Sequence, residues 1–385
     1  MTAGIRYIAP TLRRWCSADL SFAMAVVVGV TGSAPCPVGT VMASCATGEV
    51  AGGVAGGCID GAVLTAAQDA IRSGRVHRNR YTHQSDGSPV LGLSCRSEID
   101  VVVLPAAVEV MAPLLDRLLA NRTVGSALVL PAGPRAALLV ADPDGLWGSS
   151  GDPGLDELVA RRLRERVSTG TGPVEHIGTG PVERIGTGPV ERIGDGAGQP
   201  VDVLFVRHQP APRMVLYGMS PVARAMSQLG RFLGFEVTVC DPRPVFMRAE
   251  HFPDAHQVVC DWPHRHLRSI EADARSAIVV LSHDDRHETE LLSLALRGRA
   301  GYVGVIGSRE THRERLLRLT AAGLTKDELG RLRAPIGLDL GARTPQETAV
   351  SICAEVIAVA GTGGTGRPLT YLAGPIHRRA DVPVS

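Results

Sequence analysis

Residues 32–61, GSAPCPVGTVMASCATGEVAGGVAGGCIDG, form a glycine-rich tract that delivers a cysteine to the start of a helix. Cys58 follows Gly56 and Gly57, and beyond Ile59 the residues Ala62, Val63, Ala66, Ala67 and Ala70 set apolar groups at helical spacing. A cysteine in the first turn of a helix stands among backbone N–H groups that lack intrahelical acceptors, at the positive end of the helix dipole. Both features favour a thiolate or another anion. Such a sulfur, in a loop with little side-chain bulk, suits a metal, a sulfur carrier or an anionic ligand. The same spacing equally suits a small buried hydrophobe in a tight turn, and the two readings stand side by side.

A second set of residues has the spacing of a nucleotide site. Tyr217-Gly218-Met219-Ser220-Pro221-Val222-Ala223 follows an apolar strand and opens a helix, as a dinucleotide-binding turn does. Gly218 and Ala223 fit that pattern, whereas Ser220 stands where a second glycine would let a pyrophosphate approach. Pro221 also removes one N–H from the helix start. Ser220-Pro221 is still a sound helix opening, a capping hydroxyl followed by a fixed φ. Asp241 ends the next strand about 20 residues on, where a ribose-binding acid belongs, and Arg243 can pair with it or with a phosphate. Three more groups are expected at carboxyl ends of strands: His283 with Asp284, then Gly307-Ser308-Arg309, then the loop that carries Asp339. His283 could do acid/base work or be a solvated surface histidine. His287 and Glu288 follow, but no H-E-x-x-H spacing occurs, so no hydrolytic metal is expected.

The elements that must hold these groups fall into two domains, residues 1–210 and 211–385. In the first, AMAVVVGV, TVMAS, EVAGGV, EIDVVVLP, SALVLP and RAALLVAD read as strands, VDVLFVRHQP as a returning last strand, and helices are expected near 10–19, 59–73, 106–120 and 153–166. This succession indicates an α+β domain. From Pro212 on, the short apolar strands MVLY, VTVC, QVVC, AIVVLS and YVGVIG alternate with helical stretches, the pattern of a Rossmann-like, doubly wound parallel sheet. The fold class is thus α/β, with an N-terminal α+β domain ahead of that sheet. Thr344, Pro345 and Glu347 write the start of its last helix. Between Gly170 and Gly198 an eight-residue unit repeats as GPVEHIGT, GPVERIGT and GPVERIGD. It is expected to be a surface loop or linker, with short edge strands as the alternative.

Composition narrows the chemistry. Of the 385 residues 44% are hydrophobic and only 4% aromatic, and the net charge is +1, so no electrostatic footprint for nucleic acid is present. No apolar run is long enough for a membrane span, and a cytoplasmic location with reduced cysteines is expected. All but one of the 40 basic side chains are arginine. A P-loop or Schiff-base lysine would have to be Lys326, whose setting LTKDELGRL is that of a capped surface helix. Basic residues outnumber acids over 297–333. Two exposed helices with partial pairing explain this, and a docking face for an acidic partner or anionic cofactor is the alternative.

The strings GSAPCPVGT, GEVAGGVAGGCID and GLSCRSEIDV, with VTVCDPRP, HFPDAHQVVCDWP, YVGVIGSRETHRERL and APIGLDLGARTPQETAVSICAEVIA, resemble the XdhC/CoxI family. Its members are maturation factors for molybdenum hydroxylases such as xanthine dehydrogenase and carbon monoxide dehydrogenase. The resemblance covers nearly the whole chain outside the octad repeat. It implies a molybdenum-cofactor chaperone rather than an enzyme, one that binds the pterin cofactor, in plain or dinucleotide form, protects it and delivers it to an apo molybdenum hydroxylase. Some members act alongside a cysteine desulfurase, and a homodimer is implied. Carried over by position, the family's glycine-rich motif falls on Pro37, Gly39, Gly53, Gly56, Gly57 and Cys58, and its second cysteine motif on Gly92 and Cys95. Cys58 and Cys95 are then the candidate molybdenum or sulfur ligands. Two departures stand out: Arg96-Ser97 where the family has a glycine pair, and Gly218-Met219-Ser220-Pro221 where it has Gly-Ala-Gly-His. An NAD(P)-dependent oxidoreductase and a cofactor-free docking scaffold are the competing readings.

Overall fold

A computed structural model describes residues 4–32, 36–57, 59–82, 97–130, 136–169, 190–194, 200–282, 287–360 and 364–372. The chain forms two compact units, Met1–Pro210 and Ala211–Ser385.

The first unit contains α1 (Ile5–Ser17), β1 (Phe22–Gly32), β2 (Val41–Cys45), β3 (Val50–Gly52), α2 (Asp60–Ser73), β4 (His77–Thr82) and β5 (Ser97–Pro105). It continues with α3 (Val108–Leu119), β6 (Val124–Leu130), β7 (Ala137–Asp142), β8 (Gly145–Trp147), α4 (Pro153–Thr169), β9 (Val190–Gly194) and β10 (Pro200–His208). The two sheets have the orders β3-β2-β1-β5-β4 and β8-β7-β6-β10-β9. Element by element, the sequence helix, three strands, helix, two strands occurs twice. The pairings agree as well. Met24 faces Ala43 and Leu104 across its two neighbours, as Ser126 faces Val140 and Val206. The unit is a tandem of one module, a repeat the sequence patterns did not disclose.

The apolar run of β1 follows from burial on both faces. Phe22, Met24, Val26 and Val28 join a core with α1, α3 and the second sheet, while Ala23, Ala25 and Val27 pack with α2. The second sheet repeats this, packing α4 on its other face through Ala127, Val129 and Phe205. Helix α1 begins five residues ahead of the expected start, so Pro10 lies inside it. A proline there costs roughly 3 kcal/mol. Burying Ile5 and Ile8 returns about 1.5–3 kcal/mol each, enough to carry the helix through it. The third copy of the octad repeat is β9, paired antiparallel with β10 as an edge strand rather than a linker; residues 170–189 lie outside the described residues.

The second unit contains β11 (Arg213–Tyr217), α5 (Pro221–Phe232), β12 (Glu236–Cys240), β13 (Gln257–Val259), α6 (Pro263–Ser269), β14 (Ala277–Val280) and α7 (Glu288–Arg297). After these come β15 (Tyr302–Val305), α8 (Arg309–Ala321), α9 (Lys326–Gly330), β16 (Leu332–Arg333) and α10 (Pro345–Ala360). All six strands are parallel in the order β13-β12-β11-β14-β15-β16. This is the order of dinucleotide-binding sheets, with the switch point between β11 and β14. Met214 and Leu216 face the core with α5 and α10, and Val215 and Tyr217 the core with α6, α7 and α8.

Candidate functional site

The glycine-rich tract of the first unit is the loop from β3 into α2. Its organising group is Asp60, the first residue of α2. One oxygen, Oδ1, accepts the N–H groups of Val54 (3.0 Å) and Ala55 (3.1 Å), and Oδ2 that of Gly57 (2.9 Å). The helix cap Ile59 has no side chain able to do this, so the acid in the first turn closes the loop and complements the helix dipole. Three amides of the glycine-rich tract, all ahead of the helix, therefore point at a carboxylate of the chain itself. Gly56 (φ +61°) and Gly57 (φ +105°) adopt a conformation few other residues tolerate, and both are exposed with open space where a Cβ would stand.

The β1–β2 connection joins this loop. The buried Cys36 thiol hydrogen-bonds the Val54 carbonyl. Next to it the exposed Pro37 accepts the Thr40 hydroxyl at 2.7 Å, and Gly39 turns with φ +88°. Pro37, Gly39, Gly53, Gly56 and Gly57 are thus brought to one region of the first module. Cys58, Gly92 and Cys95 lie outside the described residues.

The second module contains a counterpart of this loop, although α4 begins at Pro153, three residues ahead of the matching aspartate, and Asp152 accepts the Gly154 and Leu155 N–H groups at its start. Gly52 and Gly148, with φ +76° and +90°, occupy matching places, and a Cβ on either would collide with a β2 or β7 carbonyl, Val41 or Leu138. Ile59 and Leu155 are the matching buried residues, and Asp156 stands for Asp60. Asp156 accepts the Ser150 N–H (2.8 Å) and the hydroxyls of Ser149 and Ser150 (2.6 Å each). Burial opposes the charge of Asp156, but these donors hold its pKa below the ordinary value. At the place of Cys58, two residues before the aspartate, the second module has Gly154.

In the second unit the β11–α5 turn forms as its sequence predicts. Ser220 Oγ accepts the Ala223 N–H at 3.1 Å, and Pro221 is the first helical residue. Gly218 is required, since with φ +104° a Cβ would lie 2.7 Å from the Ser282 nitrogen. Asp241, 2% exposed, directly follows β12. Its Oδ2 accepts the Met219 N–H (2.9 Å), and Arg243 grips both oxygens through Nε (2.8 Å) and Nη2 (2.9 Å), adding its own N–H to Oδ1 (3.0 Å). Burial works against the Asp241 charge, yet Arg243 and the two amides hold its pKa below the carboxylate range. The acid expected to meet a ribose is thus engaged by the turn it supports.

Of the other groups expected along this edge, two are described. Ser308 caps α8 by accepting the Thr311 N–H (3.1 Å), with Arg309 exposed beside it and Gly307 before it. Asp339 is exposed in the loop before α10. His283 and Asp284 lie outside the described residues. The basic stretch is not uniformly solvated. Arg315, 2% exposed, forms a bidentate pair with buried Glu288 at 2.7 and 2.9 Å, and Arg318 adds a third contact at 3.2 Å. Sequence spacing missed this because Glu288 comes from α7, whereas only contacts within one helix can be read from i, i+4 spacing.

Comparison with known proteins gives the family. Residues 214–356 match the XdhC Rossmann domain, and residues 15–82 match the XdhC and CoxI family. Among curated proteins, a probable xanthine dehydrogenase subunit of Bacillus subtilis (strain 168) is 30% identical over 159 residues, 41% of this chain and 46% of that protein. YqeB of Escherichia coli (strain K12), uncharacterised, is 30% identical over 42% of this chain and 30% of its own length. The match thus spans about half or less of these two relatives. The molybdenum cofactor insertion chaperone PaoD of Escherichia coli (strain K12) is 25% identical over 340 residues, 87% of this chain and 82% of PaoD. A crystal structure described as a xanthine dehydrogenase from Bacillus halodurans shares the fold with a TM-score of 0.70, at 22% identity, over 93% of this chain and 96% of that one.

Proposed function

Because the chain belongs to the XdhC and CoxI family, we propose that it is a maturation factor that binds the molybdenum cofactor, shields it and hands it to an apo molybdenum hydroxylase of the xanthine dehydrogenase or carbon monoxide dehydrogenase type. The observation that carries this reading is the duplicated loop. One backbone device, an aspartate drawing a glycine-bearing turn onto a helix start, is built twice, and only the first copy places a cysteine in it. A structural need would be common to both copies. The copies differ at several loop positions, and the difference that bears on metal chemistry is Cys58, where a thiolate suits the soft, dithiolene-bound metal of the cofactor. Cys95 is the second proposed sulfur ligand. In the second unit, exposed Ser308 and Arg309 at the start of α8 suit a phosphate, and so a cofactor in either its simple or its dinucleotide form. The long match to a protein named as a cofactor insertion chaperone supports the same reading.

Delivery would take place in the cytoplasm, with the chain as a homodimer and a cysteine desulfurase as the source of the terminal sulfur. Among the described residues no helix is long and apolar enough to cross a membrane. NAD(P)-dependent oxidoreduction is the second reading, favoured by the strand order; the commitment of Asp241 to Arg243 and Met219 counts against it. Co-purification with molybdenum analysis, followed by activation of an apo-hydroxylase, tests the proposal. Molybdenum and pterin should travel with the chain and activate the client. Client binding without either would favour the scaffold, and NAD(P)H binding with hydride transfer would favour the oxidoreductase.

A further inference from the structure

The connections that leave β13 and β14 bring together three side chains with the chemistry of a metal site. His264 lies at the start of α6, His287 caps α7, and Glu290 is in the first turn of α7. One ligand atom from each lies within 4.8 Å of the others. His264 Nε2 and His287 Nδ1 stand 3.9 Å and 4.0 Å from the same oxygen, Glu290 Oε2. A tetrahedral ion with bonds of about 2.1 Å sets its ligands about 3.4 Å apart, so those two contacts close on an ion with movements of about half an ångström.

Two details separate this cluster from an ordinary surface group. His264 is 7% exposed, so its imidazole is held out of water with Nε2 turned toward Glu290. Glu290 also divides its oxygens. Oε1 is held by Arg268 at 2.7 Å, while Oε2 is turned to the two histidines. That is how an outer partner orients a ligating carboxylate. Trp262 closes one side, with its ring 4.8 Å from that of His287.

We propose that His264, His287 and Glu290 form a binding site for a divalent transition metal such as zinc, with ligands other than the proposed sulfur ligands Cys58 and Cys95. Two imidazoles and one carboxylate are a borderline donor set, with a fourth position left for water or an exogenous ligand. His287 and Glu290 are partly exposed, which provides the route in. The zinc-like spacing is invisible in sequence because His264 belongs to a different crossover from the other two ligands.

Cobalt(II) is the probe, added to the full chain after chelator treatment. About one ion per chain should bind, with visible d–d absorption and no near-ultraviolet sulfur-to-cobalt band. Glu290→Gln, at a partly exposed position, should weaken binding at least about tenfold, and His264→Gln should abolish it. Absence of binding, or a sulfur band that persists unchanged in both variants, overturns the proposal. Because the readout is cobalt absorption, its failure leaves the molybdenum-cofactor reading to its own test.

Discussion

Replacing Asp60 and Asp156 in parallel separates what the loop does for stability from what it does for function. In Asp60→Ala, the Val54 and Ala55 amides lose a charged acceptor in a partly buried setting, and Gly57 loses one in the open. At about 1 kcal/mol for each enclosed bond and a few tenths for the exposed one, the cost is about 2–2.5 kcal/mol. Asp156→Ala loses one amide and two hydroxyl bonds, which water can partly replace, and should cost a similar or slightly smaller amount. For a unit of this size the thermal midpoint should fall by about 4–10 °C in each variant. Scanning calorimetry on the full chain measures the fall, and titration with released molybdenum cofactor measures binding below the transition. Both variants should lose stability alike, and only Asp60→Ala should lose cofactor affinity. If Asp156→Ala abolishes binding while Asp60→Ala retains it, the assignment of the site to the first module is wrong.

Gly218→Ala combines a positive φ with a Cβ pressed against Ser282, and should destabilise the second unit by about 3 kcal/mol in urea unfolding; a loss under about 1 kcal/mol contradicts the close approach. His208, bonded to Ser126 at 2.8 Å, has its pKa pushed down to about 4 by burial and by the Arg6 charge. Its unfolded form takes up a proton near pH 6.5, so the stability it contributes is complete above that pH and is lost as pH falls toward 4. The His208 ring signal in NMR should remain neutral at pH 5, and titration near 6.5 would refute its burial. Deleting residues 180–187 removes one octad and leaves the strand-forming copy in place. The shorter connection changes closure entropy by only about 0.5 kcal/mol, so cofactor binding and the melting midpoint should be nearly unchanged.

The parallel sheet was legible because its strands are continuous apolar runs, as burial on both faces requires, and the capping residues Ser220, Pro221 and Thr325 fell where local rules put them. The duplication was not legible. Its copies share a topology and a few residues such as the Asp60 and Asp156 pair, whereas the repeat that catches the eye has a period of eight. Edge strand β4, with alternating His77, Arg78, Asn79 and Arg80, lacks the apolar signal on which strand reading depends. At the candidate sites, spacing singled out Asp241 and the family resemblance singled out the loop glycines, but neither could tell which acceptors were already taken. The answer depends on donors such as the Met219 and Val54 amides, which every residue type carries.

The central claim is that a thiol in the first module's loop holds the molybdenum cofactor. Equilibrium titration of the parent chain and Cys58→Ala with cofactor released from a molybdenum hydroxylase, read by molybdenum retained after gel filtration, tests it most directly. Near-stoichiometric retention by the parent and a loss of at least about tenfold in affinity for Cys58→Ala is the expected result. Equal retention by both would contradict it.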